Sequence, residues 1–428
     1  MSKQKNEIKW DKLDNTAHLF PVIAGESMSN VYRISVTLKE KILPGILQEA
    51  LDKVLPWFDV FKVRLRKGIF WYYFEDNEKT APRVQEERTY PNQYIAANRN
   101  NSYLFRVSYY ENRINLEVFH VLTDGMGAIN FLRELTYQYL RMVHPELLQV
   151  VADELCSDTS LNKEDSFVKN YKKSHARGYK TKRAYTIKGE KLKPLELGII
   201  HGYMPVDQLK AVCKKYQLSI NEYLVAVFLW GVYQECLHGT PSKRPISVAV
   251  PVNLRPYYNS ITTKNFFVMV SAVFEPTEEQ YTFEEVAKIT AESLRSQINP
   301  EHLEHIFAYN VSNEKNLMLR AVPLFVKNIA IKSVYRTSAL ANSSTVTNVG
   351  NIAIREEYRP YIDKFHAFLS MSKGQNIKGC ICSYNGRLVF TFSSTLTDVS
   401  IQRCFFQKIS ADGVEVGIET NGVYDEKM

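Results

Sequence analysis

Between residues 150 and 195 the sequence loses its apolar periodicity and turns polar and lysine-rich. A chain of 428 residues interrupted in this way cannot be wrapped around one core. It calls for two cores of ordinary domain size joined by an exposed crossing segment. The expected division is a first lobe over 1–150, a basic connector over 151–195 and a second lobe over 196–428. The connector also sets the charge. From Lys169 to Lys193 there are ten Lys or Arg against one acid, Glu190, while the whole chain carries only +8. The rest is close to neutral. No zinc-finger spacing, RNA-recognition signature or basic heptad helix accompanies the run, which argues against a nucleic-acid partner.

Both halves mix strand and helix periods, so the fold class is α/β. Val31–Leu38 alternates like a half-buried strand, and Pro44 opens a helix with Ile46, Leu47, Ala50, Leu51 and Val54 on one face. Phe61–Leu65 and Phe70–Phe74 read as strands, and Tyr103–Tyr109 and Ile114–Val121 as a hairpin turning at Glu111-Asn112. A helix follows from about Gly127 to the residue before Pro145. In the second half, strands are expected near His201–Met204, Ile246–Val250 and Phe266–Phe274. Helices are expected from Asp207, from the capping box Ser219-Ile-Asn-Glu222, over Phe283–Ile298 and over Asn316–Val334. Strands near Thr345–Asn348, Ala367–Ser372, Lys378–Tyr384 and Arg387–Ser394 follow, the last two joined by Asn385-Gly386, a strong hairpin signal. A helix over about Val399–Ile409 and a final strand close the chain.

Several chemistries have no support. The six cysteines are scattered, and Cys380-x-Cys382 has strand spacing rather than that of a zinc knuckle. The histidine pair His302/His305 lacks carboxylate or thiol partners at ligand spacing, so no metal is expected. MSKQKNEIKW has no apolar core of a signal peptide, and no apolar run reaches the ~20 residues of a membrane span. A reduced, cytoplasmic protein is the expectation.

One segment concentrates chemistry. In Ile114–Val121 the period of two puts Ile114, Leu116, Val118 and His120 on one face, and His120-Val-Leu-Thr-Asp124-Gly125 leads from strand to helix. A histidine at the end of a buried strand is rigid and partly desolvated, and its ordinary pKa of ~6.5 suits proton removal near neutral pH. Gly125 and Gly127 would give the backbone freedom and let a substrate approach. The same residues also fit a satisfied core histidine followed by an ordinary Asp-Gly turn.

His120–Gly125 resembles the HxxxDG motif of a superfamily with the chloramphenicol-acetyltransferase-like fold. That superfamily includes alcohol acetyltransferases, plant BAHD acyltransferases, polyketide-associated acyltransferases and peptide-synthetase condensation domains. Trp10-x-x-Leu13-Asp14, Pro251-Val-Asn253-Leu254-Arg255, Asn265-Phe266-Phe267 and Thr347-Asn348-Val349-Gly350 resemble further family segments in the same order, with bacterial alcohol-acetyltransferase-like members most similar. The resemblance implies two similar lobes, each a mixed sheet with flanking helices, and an active-site channel between them. It implies His120 as general base, with Asp124, Gly125 and Arg255 structural at the site, Asp124 paired to Arg255 and turned from the imidazole. Thr347, Asn348, Gly350 and Asn265 would line the substrate channel. No permanent cofactor is implied. Acetyl-coenzyme A or a related acyl-coenzyme A would be co-substrate, and a small-molecule alcohol the acceptor.

The departures carry weight as well. Phe119 stands where condensation domains usually have a second histidine, and no Asp-Phe-Gly-Trp-Gly run marks a plant-type enzyme. The alternatives are an amine acceptor, an acyl carrier protein as donor, or a non-catalytic relative that binds a ligand in the channel. The basic run 169–193 is either a solvated connection or a contact for the phosphates of coenzyme A.

Overall fold

The computed structural model describes residues 9–424 except 152–153, 158, 173–181 and 316–319. The strands are, in chain order, β1 Trp10–Lys12, β2 Val31–Leu38, β3 Val63–Lys67, β4 Tyr72–Asp76 and β5 Gln85–Glu86. Then come β6 Phe105–Tyr110, β7 Arg113–Phe119, β8 Gly198–Pro205, β9 Ile246–Asn253 and β10 Phe267–Phe274. The last five are β11 Ser344–Asn351, β12 Ile362–Leu369, β13 Ile377–Tyr384, β14 Arg387–Ser394 and β15 Gly417–Thr420. One sheet has the order β12-β2-β7-β6-β5, a second β10-β9-β11-β13-β14-β8-β15, and a small third one β1-β4-β3. The two large sheets are both mixed: β5 runs parallel to β6, and β11 parallel to both β9 and β13.

Alternation in sequence becomes two unlike faces on the first sheet. The register sets Tyr32 opposite Val118, Ile34 opposite Leu116 and Val36 opposite Ile114. The helices Pro44–Val54 and Gly125–Val143 pack together over this apolar side. The reverse side carries Arg33, Ser35, Asn115 and Glu117, all buried. Buried charge must be paired to be tolerated. Arg33 lies 2.7 Å from Glu117 and 2.5 Å from Glu87, and Arg106 also bonds Glu117. Burial pushes the Glu117 carboxyl up, but Arg33 and Arg106 pull it down further, to a net value below the usual range.

In the second sheet Leu388, Phe390 and Phe392 of β14 and Ile377 and Ile381 of β13 face a core shared with the helices Ile220–Leu237, Phe283–Arg295 and Ser400–Ala411. The capping box is present: the Ser219 hydroxyl accepts from Glu222 N, and the Glu222 carboxylate from Ser219 N at 2.7 Å. Asn385 and Gly386 both have positive φ, 47° and 76°, as the tight β13–β14 turn requires.

Three placements differ from the sequence reading. β12, from the second half of the chain, pairs antiparallel with β2, so Phe365 and Ala367 join the first core. The sheets therefore do not divide where the connector does. This strand also begins five residues before the expected Ala367, because Asp363 and Lys364 interrupt its apolar run. The helix expected over Asn316–Val334 is Leu324–Ser338, preceded by the helix Pro300–Lys315; residues 316–319 lie outside the described residues. No described helix is long and apolar enough to cross a membrane.

Candidate active site

His120 follows β7 immediately, and its backbone N–H donates to the carbonyl of Asn30 at 3.0 Å. The part-buried ring stacks on Phe20 at 4.6 Å between centroids, with Tyr32 at 4.9 Å and Phe267 at 5.7 Å. Phe20 and Tyr32 come from the first half of the chain and Phe267 from β10, so the imidazole sits where the lobes meet. This apolar surround lowers its pKa below the ordinary 6.5, and the ring is neutral at neutral pH.

Its tautomer follows from the neighbouring amide. Asn265 Nδ2 donates to the Asp14 carboxylate at 2.9 Å and to the His120 carbonyl at 3.3 Å. Both are acceptors, so the amide nitrogen must point at them and Oδ1 must face the imidazole. Oδ1 lies 3.1 Å from His120 Nδ1, which therefore carries the proton and donates it. Nε2 keeps its lone pair. Asp14 is held in turn by the N–H of Ala17 at 2.8 Å and of Asn265 at 3.2 Å. Burial pushes its carboxyl up to about 7, against these hydrogen bonds, which favour the ionised form.

Asp124 is fully committed elsewhere. Its carboxylate takes a two-pronged contact from Arg255, at 2.8 and 3.0 Å, and accepts from the N–H groups of Met126, Gly127 and Phe266. It thus caps the helix Gly125–Val143 and pins that helix to the second lobe. Arg255 is fixed too, by the carbonyls of Thr262 and Lys264 at 2.9 and 2.8 Å. The Asp124 backbone carbonyl accepts from the Tyr32 hydroxyl at 2.9 Å, which joins the loop back to β2.

The glycines play a different part from the one expected. Neither Gly125 nor Gly127 has a positive φ; both are helical. A Cβ on Gly127 would lie 2.0 Å from Thr123 Oγ1 and 2.4 Å from the Thr263 carbonyl, so its smallness admits a contact between lobes rather than a substrate. A Cβ on Gly125 would come 3.3 Å from Val349 Cγ1. Within Thr347–Gly350 it is thus Val349 that abuts the histidine loop. Asn348 is exposed, its Oδ1 accepting from the N–H of Gly350 at 2.8 Å across a register shift in β11. Gly350 does need its freedom, with φ of 87°. Thr347 is part-buried on β11.

Sequence reasoning missed three contributors. Asp14 was visible only as part of a resembling motif, with nothing to tie it to His120. Phe20 carried no signal. Lys378 reads as a strand residue, yet it is buried, its ammonium bonded to Ser372 Oγ at 2.5 Å and its pKa lowered to about 7 by burial. Its charge weighs further against protonation of His120.

No family model matches the chain, and no curated protein matches its sequence. Solved structures do match. The TRI3 trichothecene 15-O-acetyltransferase from Fusarium sporotrichioides is 11% identical, with a TM-score of 0.61 over 96% of each chain. TRI101 of F. graminearum, complexed with coenzyme A and T-2 mycotoxin, is 12% identical, with a TM-score of 0.62 over 95% of this chain and 99% of that one. The condensation domain of the Monacolin K polyketide synthase MokA is 11% identical, with a TM-score of 0.56 over 95% and 97%. The chain has the two-lobed fold of these acetyltransferases and condensation domains. At such identities the likeness is one of fold, and the chemistry must be argued from the residues.

Proposed function

We propose that the protein transfers a short acyl group, acetyl in the simplest case, from a coenzyme A thioester to an alcohol, with His120 as general base. The observation that carries this reading is the fixed tautomer: Asn265 holds Nδ1–H and leaves Nε2 free in a neutral ring. Nε2 takes the proton of the acceptor hydroxyl as its oxygen attacks the thioester carbonyl. The tetrahedral intermediate then collapses, the C–S bond breaks, and Nε2–H returns the proton to the departing thiolate. Hydroxyl proton and thiol proton balance, and no covalent enzyme intermediate is needed.

Asp124 and Arg255 hold the loop in this scheme and do not touch the reacting atoms. A cavity of about 710 Å³, whose wall does not include His120, offers a place for part of the donor. Its wall includes Met28 and Ser29, next to the Asn30 that holds His120, together with Lys191, Lys193 and Lys373. Lys191 and Lys193 end the basic run, and they suit the phosphates of coenzyme A. Part of that run, 173–181, lies outside the described residues.

The fold is shared with condensation domains, so donor and acceptor class must be tested together. Thiol release would be followed from acetyl-coenzyme A and from an acylated carrier protein, over a panel of alcohols and amines, with products weighed by mass spectrometry. Alcohol-dependent release from coenzyme A, and loss of it in His120→Ala, is the expected result. Release from the carrier protein alone would move the reading to condensation-type chemistry. Binding without turnover of any donor would leave a ligand-binding relative.

A further inference from the structure

The helix Leu324–Ser338 leaves much of its apolar surface open. Its side turned to the protein buries Leu324 and places several hydrogen-bonding groups beside it. Lys327 Nζ donates to the carbonyls of Phe70 and Arg320 at 3.0 and 3.1 Å, Asn328 Nδ2 to the Tyr72 hydroxyl at 3.0 Å, and the Tyr335 hydroxyl to the sulfur of Met28 at 3.2 Å. Phe325, Val326, Ile329 and Val334 are exposed and spread over about half of the helix circumference, among the exposed Lys332, Ser333 and Arg336. Beside the first turn of this helix lies the tip of the β3–β4 hairpin, where the Ile69 carbonyl accepts from Leu324 N at 2.8 Å. Ile69, Phe70 and Trp71 are also exposed. Among the described residues these seven side chains stand 38–76% open to solvent. Single exposed apolar residues are ordinary, but seven gathered from two elements that touch are not.

The charge around this face selects its occupant. From Arg320 to Arg336 the sequence has four cations, Arg320, Lys327, Lys332 and Arg336, and no Asp or Glu. From Lys62 to Trp71 it has Lys62, Arg64, Arg66 and Lys67 without an acid, Arg64 and Arg66 being paired with Glu75 of β4. Lys67, Lys332 and Arg336 are exposed beside the apolar side chains. Two copies meeting through this face would bring like charges together, which disfavours self-association. Exposed rings and aliphatic groups beside the exposed cations Lys67, Lys332 and Arg336 match the headgroup boundary of an anionic bilayer. There the apolar groups enter the acyl margin and the cations meet phosphates.

We infer that this face docks the protein on an anionic membrane surface. The helix packs on the short helix Phe20–Ile23, whose Phe20 ring stacks on His120, so docking sets the imidazole one helix away from the lipid. Docking does not depend on the proposed chemistry.

The test is co-sedimentation of the full chain with vesicles of phosphatidylcholine alone and of equimolar phosphatidylcholine and phosphatidylglycerol. Binding is expected to the anionic vesicles only, weakening as salt screens the cations. The exposed pairs Phe325→Ser with Ile329→Ser, and Lys332→Glu with Arg336→Glu, should each lower the bound fraction about tenfold. Their melting temperatures and thiol release in the absence of vesicles should stay at wild-type levels, so a failed docking is told apart from a failed enzyme. Absence of binding to anionic vesicles overturns the inference, as does equal binding by both variants. A wild-type dimer in sedimentation velocity that Phe325→Ser with Ile329→Ser dissolves would also overturn it, in favour of a second copy.

Discussion

His120 and the His201–His366 pair both lie where the lobes meet, on opposite faces of the first sheet. His120 follows the apolar side of β7; His366 lies opposite Ser35 on the polar side, stacked on His201 of β8 at 4.1 Å. Each ring is desolvated, and each has its pKa lowered by burial, His366 to about 3 and His201 well below the ordinary value. They differ in what their nitrogens face. The Tyr203 hydroxyl, itself bonded to Glu419, sits 2.7 Å from His366 Nε2, and Thr391 sits 2.8 Å from His201 Nδ1. Both rings are closed from solvent. His120 has one nitrogen fixed by Asn265 and keeps contact with solvent. Desolvation alone therefore does not make a base. The proposed base at His120 rests on the fixed tautomer with its second nitrogen open.

The contrast breaks most sharply at His120 itself. His120→Ala should lower acceptor-dependent thiol release by ~10²–10⁴-fold, while the melting temperature stays near wild type, because Ile114, Leu116 and Val118 supply the core contacts of its strand. Unchanged turnover in a folded variant would place the chemistry elsewhere. Asn265→Ala comes next. It frees the tautomer and the ring angle, and kcat should fall roughly 10²-fold with little change in KM. A proportional rise in KM instead would make Asn265 a substrate contact.

Asp124→Asn separates loop position from chemistry. It leaves Arg255 without its charge partner, and a denaturant midpoint should report a loss of about 3 kcal/mol. A variant as stable as wild type, with activity alone reduced, would show Asp124 acting on the reaction. The pH profile is a finer probe. His120 must be neutral, so the acid limb of kcat/KM should lie below the ordinary histidine value of 6.5. A limb near 7 would point to the Asp14 carboxyl, which burial raises to about that value.

The smallest expected effect belongs to the closed pair. His366→Phe should leave turnover unchanged and alter the pH dependence of stability. A buried neutral histidine lets the unfolded state take up protons first. Its stabilising contribution is present above about 6.5 and is lost as pH falls towards its folded value of about 3. Urea midpoints of the variant should therefore decline less steeply with acidification below 6.5. Equal slopes would remove the pair from the acid response.

Much of this was legible in the sequence because local rules governed it. Ser219 and Glu222 cap their own helix, Asn385-Gly386 closes its own hairpin, and the alternation in Ile114–Val118 sets its own face. His120 could be read at the end of a strand. What stayed hidden was carried by partners distant in the chain. Asp14 reaches His120 only through Asn265, 251 residues away. The helix Leu324–Ser338 leaves Phe325, Val326, Ile329 and Val334 exposed, so periodicity could not say which face it buries. Gly125 and Gly127 looked like flexible substrate neighbours, and only Thr123, Thr263 and Val349 show what their missing side chains accommodate.

The strand β12 has a consequence for how the protein is made. Its residues Ile362–Leu369 complete an edge of a sheet whose other strands all come from the first 119 residues. As the ribosome delivers the chain, β2 therefore waits through more than 240 further residues with one flank unpaired. A nascent first lobe cannot reach its final form before the second is almost wholly synthesised. The first sheet is completed only late in translation.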